Sequence, residues 1–356
     1  SRHEAPSEHG CAHFTEHMLF KGTRTRSAYQ LAAEIDGVGG DLNGSTGKEN
    51  TGYSVQVAGE HWERALDTLL DMYFNAAFAA GEMEKERQVL LEEIDLARDD
   101  PEEQVSDLFS RALWGVHPLG NPVIGEREDV QSVTRDRLAT FYRRHYRAGG
   151  LIVSASGHLD AAALAEALER RMPGEEPSSR ALRAGPAAAA ASPASCGEAQ
   201  PDRGPRTRYL CEERDMEQVH LLTGASCWGY RQNGRYPLLV LNTVLGGSIS
   251  SRLFQRVRES EGLCYAISSG VTSYTDTGEF TVSFSTSASR VSGVLDAVAE
   301  ELRRLKEEGI TADDLATAKA KIQGNMVLAG ESMEWRMSRM AVQEMVYGRP
   351  LPPRET

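Results

Sequence analysis

The sequence predicts an α+β fold: two related lobes joined by a linker. Three observations predict it. Stretches with helical apolar spacing and stretches with strand alternation both run through the chain. The same element order then comes twice: a helix, a Gly-Gly turn, a Tyr-bearing strand and an amphipathic helix. Between the copies, residues 173–206 are rich in Pro, Ala, Ser and Gly, with few side chains able to fill a core. A length of 356 residues suits two domains of about 150 residues each. The repeat rests on element order, since identity between the halves is weak.

Taken in order, a helix is expected from about His9 to Phe20, with Gly22 as its stop. Ser27 caps a second helix that runs to Asp36 and ends at Gly37, and Gly39-Gly40 turn the chain. Thr51–Val57 alternates Tyr53, Val55 and Val57 with Ser54 and Gln56, the pattern of a strand. Glu60–Phe74 is amphipathic, and Gly81–Arg98 is a strong helix before Pro101. Further helices are expected at Glu102–Trp114 and Thr134–Tyr146. Leu151–Ser156 reads as a buried strand, followed by an Ala-rich helix to Arg171. Inside the linker, Pro186 and Pro193 restrict Ala187–Ala191 to a short helix at most. Beyond it, strands are expected at Arg208–Glu213, Val219–Ala225, Cys264–Ser273 and Glu279–Thr286. Helices are expected at Tyr236–Leu245 and Val291–Glu308, and Thr311 with Asp314 opens another through a capping box.

Composition removes several function classes. The net charge of −13 argues against nucleic acid as the main partner. It fits basic peptides, and it equally serves solubility. No run approaches the roughly 20 apolar residues of a membrane span. The five cysteines are odd in number and form no CxxC, so a reducing compartment fits better than a disulfide framework. No signal peptide is visible at Ser1, and Ser1-Arg2-His3-Glu4 reads as the middle of a loop, the expectation being a fragment.

The chemistry centres on His13-Phe14-Thr15-Glu16-His17. On a helix, positions four apart share a face, so both imidazoles can point at one spot. Two neutral imidazoles begin a zinc site, and Glu16 flanks the same face as a base for a metal-activated water. Chance alone can place two histidines four apart, so the third ligand decides. It should be a carboxylate or imidazole on another element. Glu82 and Glu84 read as a solvated face. Glu86 and Glu93 are two turns apart on the stripe that carries Leu90, and carboxylates facing a core need a partner. Glu92 points about a third of a turn away.

The order H-x-x-E-H is the inverzincin pattern. HFTEHMLFKGT followed by ERQVLLEEI resembles the pitrilysin-type (M16) metallopeptidases, most of all their processing-peptidase branch. Carried over by position, the resemblance implies His13, His17 and Glu93 as ligands of one zinc per chain. It implies Glu16 as general base and Glu86 as a second glutamate that supports the site without binding metal. Asn43, Gly44 and Ser45 lie in a segment similar to the family's substrate-pairing edge strand. The family usually has Ala where this chain has Gly44, so a looser edge is expected. Arg258 and Tyr265 match the family's paired Arg and Tyr, which donate hydrogen bonds to a peptide carbonyl. Read alone, the two would be a surface arginine and a strand aromatic.

The resemblance implies a clamshell, each lobe a mainly antiparallel sheet with helices packed on it, closing over a chamber that admits unfolded peptides. The expected organisation is a zinc-binding catalytic lobe at residues 1–172, lacking its first strands, the linker at 173–206, and a substrate-binding lobe at 207–356, shortened at its end. Expected partners are peptide substrates, basic ones favoured, and a second subunit of the same fold, as a homodimer or a heterodimer. The expected compartment is the cytoplasm of a bacterium, or the mitochondrial matrix in a eukaryote. The rival readings are a non-catalytic scaffold or partner subunit of a processing-peptidase-like complex, and a metal-dependent amidase.

Overall fold

The structure, a computed structural model, describes residues 1–172 and 208–352. The expected linker at 173–206, with its Ala187–Ala191 run, lies outside the described residues. In chain order the elements are α1 (Cys11–Leu19), α2 (Ala28–Asp36), β1 (Asp41–Thr46), β2 (Thr51–Gln56), α3 (Trp62–Asn75), α4 (Ala80–Asp99) and α5 (Pro101–Trp114). Next come α6 (Arg127–Ser132), α7 (Arg135–His145), α8 (Ala161–Arg171), β3 (Val219–Cys227), α9 (Arg235–Leu245), β4 (Ala266–Ser273) and β5 (Gly278–Thr286). The last are α10 (Val291–Glu308), α11 (Ala312–Ala329) and α12 (Met333–Tyr347). Between α9 and β4, Phe254–Ser260 winds as a π-helix.

Side-chain caps set several of these boundaries. The Ser27 hydroxyl accepts from the Gln30 N–H, and the Gln30 side chain accepts from the Ser27 N–H, which starts α2. Thr311 and Asp314 form the same reciprocal pair ahead of α11.

The fold is α+β with antiparallel sheets. β1 and β2 form a hairpin, with Asp41 opposite Gln56 and Thr46 opposite Thr51. β3, β5 and β4 form a three-stranded sheet with β5 in the centre, antiparallel to both neighbours. Val282 and Phe284 of β5 and Ile267 of β4 pack on Leu245 of α9 and on Val294 and Val298 of α10. Alternation therefore serves one buried face of this sheet.

Two expected strands are absent. Neither Leu151–Ser156 nor Arg208–Glu213 forms a strand. Ile152 and Val153 are each 40% exposed, and the Ser154 hydroxyl donates to the Met337 carbonyl instead of facing a neighbouring strand. Residues 208–213 are exposed throughout. β-branched composition favours a strand only where a partner ladder exists. Among the described residues neither segment has one.

The chain divides into two compact units. The first takes Ser1–Asp99 with the described residues of Asn121–Pro193 and Arg336–Thr356. The second takes Asp100–Gly120 with the described residues of Ala194–Trp335. Thus α5 groups with the second unit, and α12 from Arg336 onward groups with the first. For α5 the physical reason is Trp114. Its indole N–H donates to the buried Glu279 carboxylate, which also accepts from the Tyr274 hydroxyl at 3.2 Å. Trp114, Leu119 and Tyr274 form their own buried cluster there.

Candidate metal centre

The site is built in the first unit on α1 and α4. α1 begins at Gly10, whose φ of 80° suits glycine. A Cβ there would also crowd the Ile124 carbonyl oxygen at 3.2 Å. No Gly10 side chain can cap the helix, and Glu4 stands in. Its carboxylate accepts from the Gly10 N–H at 3.3 Å and from the Ala12 N–H at 2.7 Å. Burial pushes the Glu4 carboxyl up to about 7, against the pull of those two N–H groups. Cys11, Phe14 and Met18 seat the opposite face of α1 in the core. Cys11 is fully buried, as a small hydrophobe, and burial pushes its thiol up to about 12. The remaining face presents His13 and His17, whose ring centroids lie 4.7 Å apart.

α4 supplies the carboxylates. Met83, Leu90 and Ile94 anchor it, and the same stripe carries Glu86 and Glu93 toward α1. Glu93 Oε2 lies 3.7 Å from His13 Nε2 and 3.5 Å from His17 Nε2. Ligand atoms of these three residues all fall within 4.8 Å of one another, the one such group among the described residues. Donors at 2.0–2.1 Å from a tetrahedral zinc stand about 3.4 Å apart. Both spacings to Glu93 approach that value. Two imidazole nitrogens and one carboxylate oxygen, with a fourth position left for water or substrate, suit zinc chemistry. The residues present therefore fit the ion that the sequence implied.

The surrounding groups prepare these donors. His13 is mostly buried, and burial together with the neighbouring His17 holds its imidazole down at about 4, so it is neutral at pH 7. His17 Nδ1 lies 3.1 Å from Glu86 Oε2. With Nδ1–H donating there, the Nε2 lone pair is free on the Glu93 side. Glu86 Oε1 lies 2.7 Å from Lys21 Nζ. By contrast, His13 Nδ1 is buried without a hydrogen-bond partner.

Glu16 sits beside the three donors without joining them. It is buried, and the Thr46 hydroxyl of β1 donates a short hydrogen bond to its Oε2. Burial raises its carboxyl above the ordinary value; the Thr46 bond and His17 pull it down, and the Glu93 charge pushes it up. The space that a side chain at Gly44 would need is already taken. A Cβ there would lie 2.9 Å from both Glu16 Oε1 and the Phe20 ring. Gly44→Ala is therefore expected to turn the Glu16 carboxylate. The Thr46–Glu16 hydrogen bond should lengthen or break as a result, and a structure of the variant checks this.

The other sequence candidates fall in two places. Asn43 and Ser45 are exposed on β1, and the Asn43 amide donates to Asp41 Oδ2 at 2.6 Å. β1 pairs with β2 alone among the described strands, so its other edge offers unpaired backbone groups. Arg258 and Tyr265 lie in the second unit, not in the one that holds the triad. There the Arg258 guanidinium stacks 4.6 Å over the Phe254 ring and 5.1 Å over the Tyr265 ring. Tyr265 is 78% exposed, so core packing does not account for it. Arg258 rides on the π-helix, a distortion frequent at functional sites. Sequence reasoning missed Lys21 and Thr46. The signal for Lys21 was its position four residues after His17.

Residues 1–127 match the family model described as Insulinase (Peptidase family M16), and residues 132–322 match that of the Peptidase M16 inactive domain. A Bacillus subtilis protein called uncharacterized zinc protease YmxG is 36% identical over 349 residues, covering 98% of this chain and 81% of its own length. The chain belongs to peptidase family M16. A Mycobacterium tuberculosis protein, uncharacterized zinc protease Rv2782c, is 39% identical to this M16 chain over 98% of it and 77% of its own length. Two solved structures share the fold. A peptidase M16 inactive domain from Pseudomonas fluorescens has a TM-score of 0.79 at 21% identity, covering 96% of this chain and 79% of its own. A protease from Helicobacter pylori has a TM-score of 0.80 at 19% identity, covering 98% and 82%. His13, Glu16, His17, Glu86 and Glu93 of the M16 chain all fall within the Insulinase match, and Arg258 and Tyr265 fall within the inactive-domain match. Among the described residues, no helix is long and apolar enough to cross a membrane.

Proposed function

We propose that this M16 chain is a zinc-dependent endopeptidase that cleaves unfolded peptides or presequence-like segments. The observation that carries this reading is Glu16: a buried carboxylate beside the three-donor set, held through one oxygen by Thr46 and, among the described residues, with no hydrogen-bond donor on the other. A scaffold subunit would need neither that base nor a neutral imidazole at His13. The relatives named zinc proteases support the same reading.

His13, His17 and Glu93 would hold one zinc per chain. Zinc, when bound, supplies Lewis acidity that acidifies water and polarises a peptide carbonyl. Glu16 accepts the proton of the attacking water and returns it to the leaving amine. The raised Glu16 pKa strengthens it as a base for that step. Glu86 keeps the His17 ring oriented through Nδ1. The open edge of β1, at Asn43, Gly44 and Ser45, receives an extended peptide by strand addition. For Arg258 and Tyr265 of the second unit, the family resemblance supports a role in substrate binding, as hydrogen-bond donors to a peptide. The net charge of −13 favours basic peptides. In this reading the chain works as a processing-peptidase-like enzyme, in the cytoplasm if bacterial and in the mitochondrial matrix if eukaryotic, paired with a subunit of its own fold as a homodimer or a heterodimer.

A peptide-length series tests the proposal. The zinc-loaded chain should cleave quenched basic peptides of about twenty residues and leave simple amides and folded proteins intact. Hydrolysis confined to simple amides would point to an amidase. Background rates on every substrate, with zinc bound, would return the scaffold reading.

A further inference from the structure

We infer that Lys21 is a positioning residue for the metal centre: its ammonium fixes the Glu86 carboxylate, which in turn fixes the His17 ring in its metal-binding tautomer. The inference deepens the reading of His13, His17 and Glu93 as a zinc site and rests on it.

Glu86 is 5% exposed, and both of its oxygens are engaged. Oε2 faces His17 Nδ1 at 3.1 Å, and Oε1 faces Lys21 Nζ at 2.7 Å. A carboxylate this buried needs compensation of its charge as well as a hydrogen bond. The His17 ring supplies the hydrogen bond through Nδ1, and Lys21 supplies the opposite charge. The placement of Lys21 follows from the end of α1. The helix stops at Leu19, and the Lys21 N–H still donates to the Met18 carbonyl at 3.1 Å. That extra turn sets the lysine stem beside the helix face that carries His17. Without the ammonium, no other group among the described residues holds Glu86 Oε1, and the carboxylate is free to rotate away from Nδ1. The ring then exchanges between tautomers, and its Nε2 lone pair is offered to the metal only part of the time.

The test uses the full chain and two readouts other than turnover. Zinc affinity is measured by competition with a chromophoric chelator, and the His17 tautomer is read by nitrogen-15 NMR on metal-free protein at pH 8. Lys21→Met should weaken zinc binding by about 10- to 100-fold, the range for loss of an outer-sphere partner. It should also move the His17 nitrogens from one tautomer toward averaged shifts. Lys21→Arg should restore both, because the charge is kept. In a Glu86→Gln background, Lys21→Met should change zinc affinity by less than about twofold, since the residue through which it acts has already been altered. If Lys21→Met does not fold, Lys21→Gln carries the same comparison. A folded, charge-removed variant with unchanged affinity and tautomer would overturn the inference. So would an equal loss of affinity in the Glu86→Gln background. Failure of the parent chain to bind zinc at all would instead overturn the zinc-site reading beneath it.

Discussion

Glu16→Gln is expected to lower kcat on a twenty-residue peptide by about 10²–10⁴-fold, the range for loss of a positioned general base. Zinc should remain bound at one per chain. The two halves of this expectation have separate causes. The amide keeps the shape of the carboxylate and still accepts the Thr46 hydrogen bond, so α1 and the β1 hairpin should be undisturbed. Glu16 is not among the three converging donors, so the metal set is unchanged. What the amide loses is basicity. An amide oxygen does not take a proton from water near neutral pH, and among the described residues no other carboxylate beside the site is free for the task. Glu86 is held by His17 and Lys21, and Glu93 is one of the donors. A drop in zinc content would show that Glu16 supports the metal. A retained rate with full zinc would show that the base lies elsewhere.

Glu93→Ala is expected to weaken zinc binding by more than about 100-fold, beyond the range set by outer-sphere partners. Glu93 Oε2 stands within 3.7 Å of both Nε2 atoms, so its removal leaves two donors where three converge. The fold should hardly notice. The Glu93 side chain is 39% exposed, and α4 is anchored by Met83, Leu90 and Ile94. Stability in the metal-free state should therefore change by no more than about 0.5 kcal/mol. Glu92→Ala serves as the control. It removes a carboxylate one residue away on the exposed side of the same helix, and zinc affinity should stay as in the parent. Isothermal titration with zinc separates the two variants directly.

The parts of this site legible in the sequence are those governed by helical periodicity. His13 and His17 are four apart on α1, and Glu86 and Glu93 are seven apart on α4, so each pair shares a face whatever surrounds it. Local capping was equally legible, since Ser27 and Thr311 act on residues three positions away. What sequence reading missed depends on distant partners. Leu151–Ser156 has strand composition but no neighbouring strand, and pairing is a tertiary event. α5 groups with the second unit, where Trp114 reaches Glu279 across 165 positions. Thr46 reaches Glu16 across 30 positions, so its role has no local signature; Lys21 sits four residues after His17, but its partner Glu86 lies on α4, which the local spacing does not reveal.

The most direct test of the central claim is a zinc titration of the metal-free chain, following cleavage of a quenched basic peptide. The account predicts a rate that rises in proportion to added zinc and breaks at one ion per chain. The Glu93→Ala chain should show no break at the same protein concentration. Cleavage that persists without metal, or one tightly bound zinc with no cleavage in the parent chain, would contradict it.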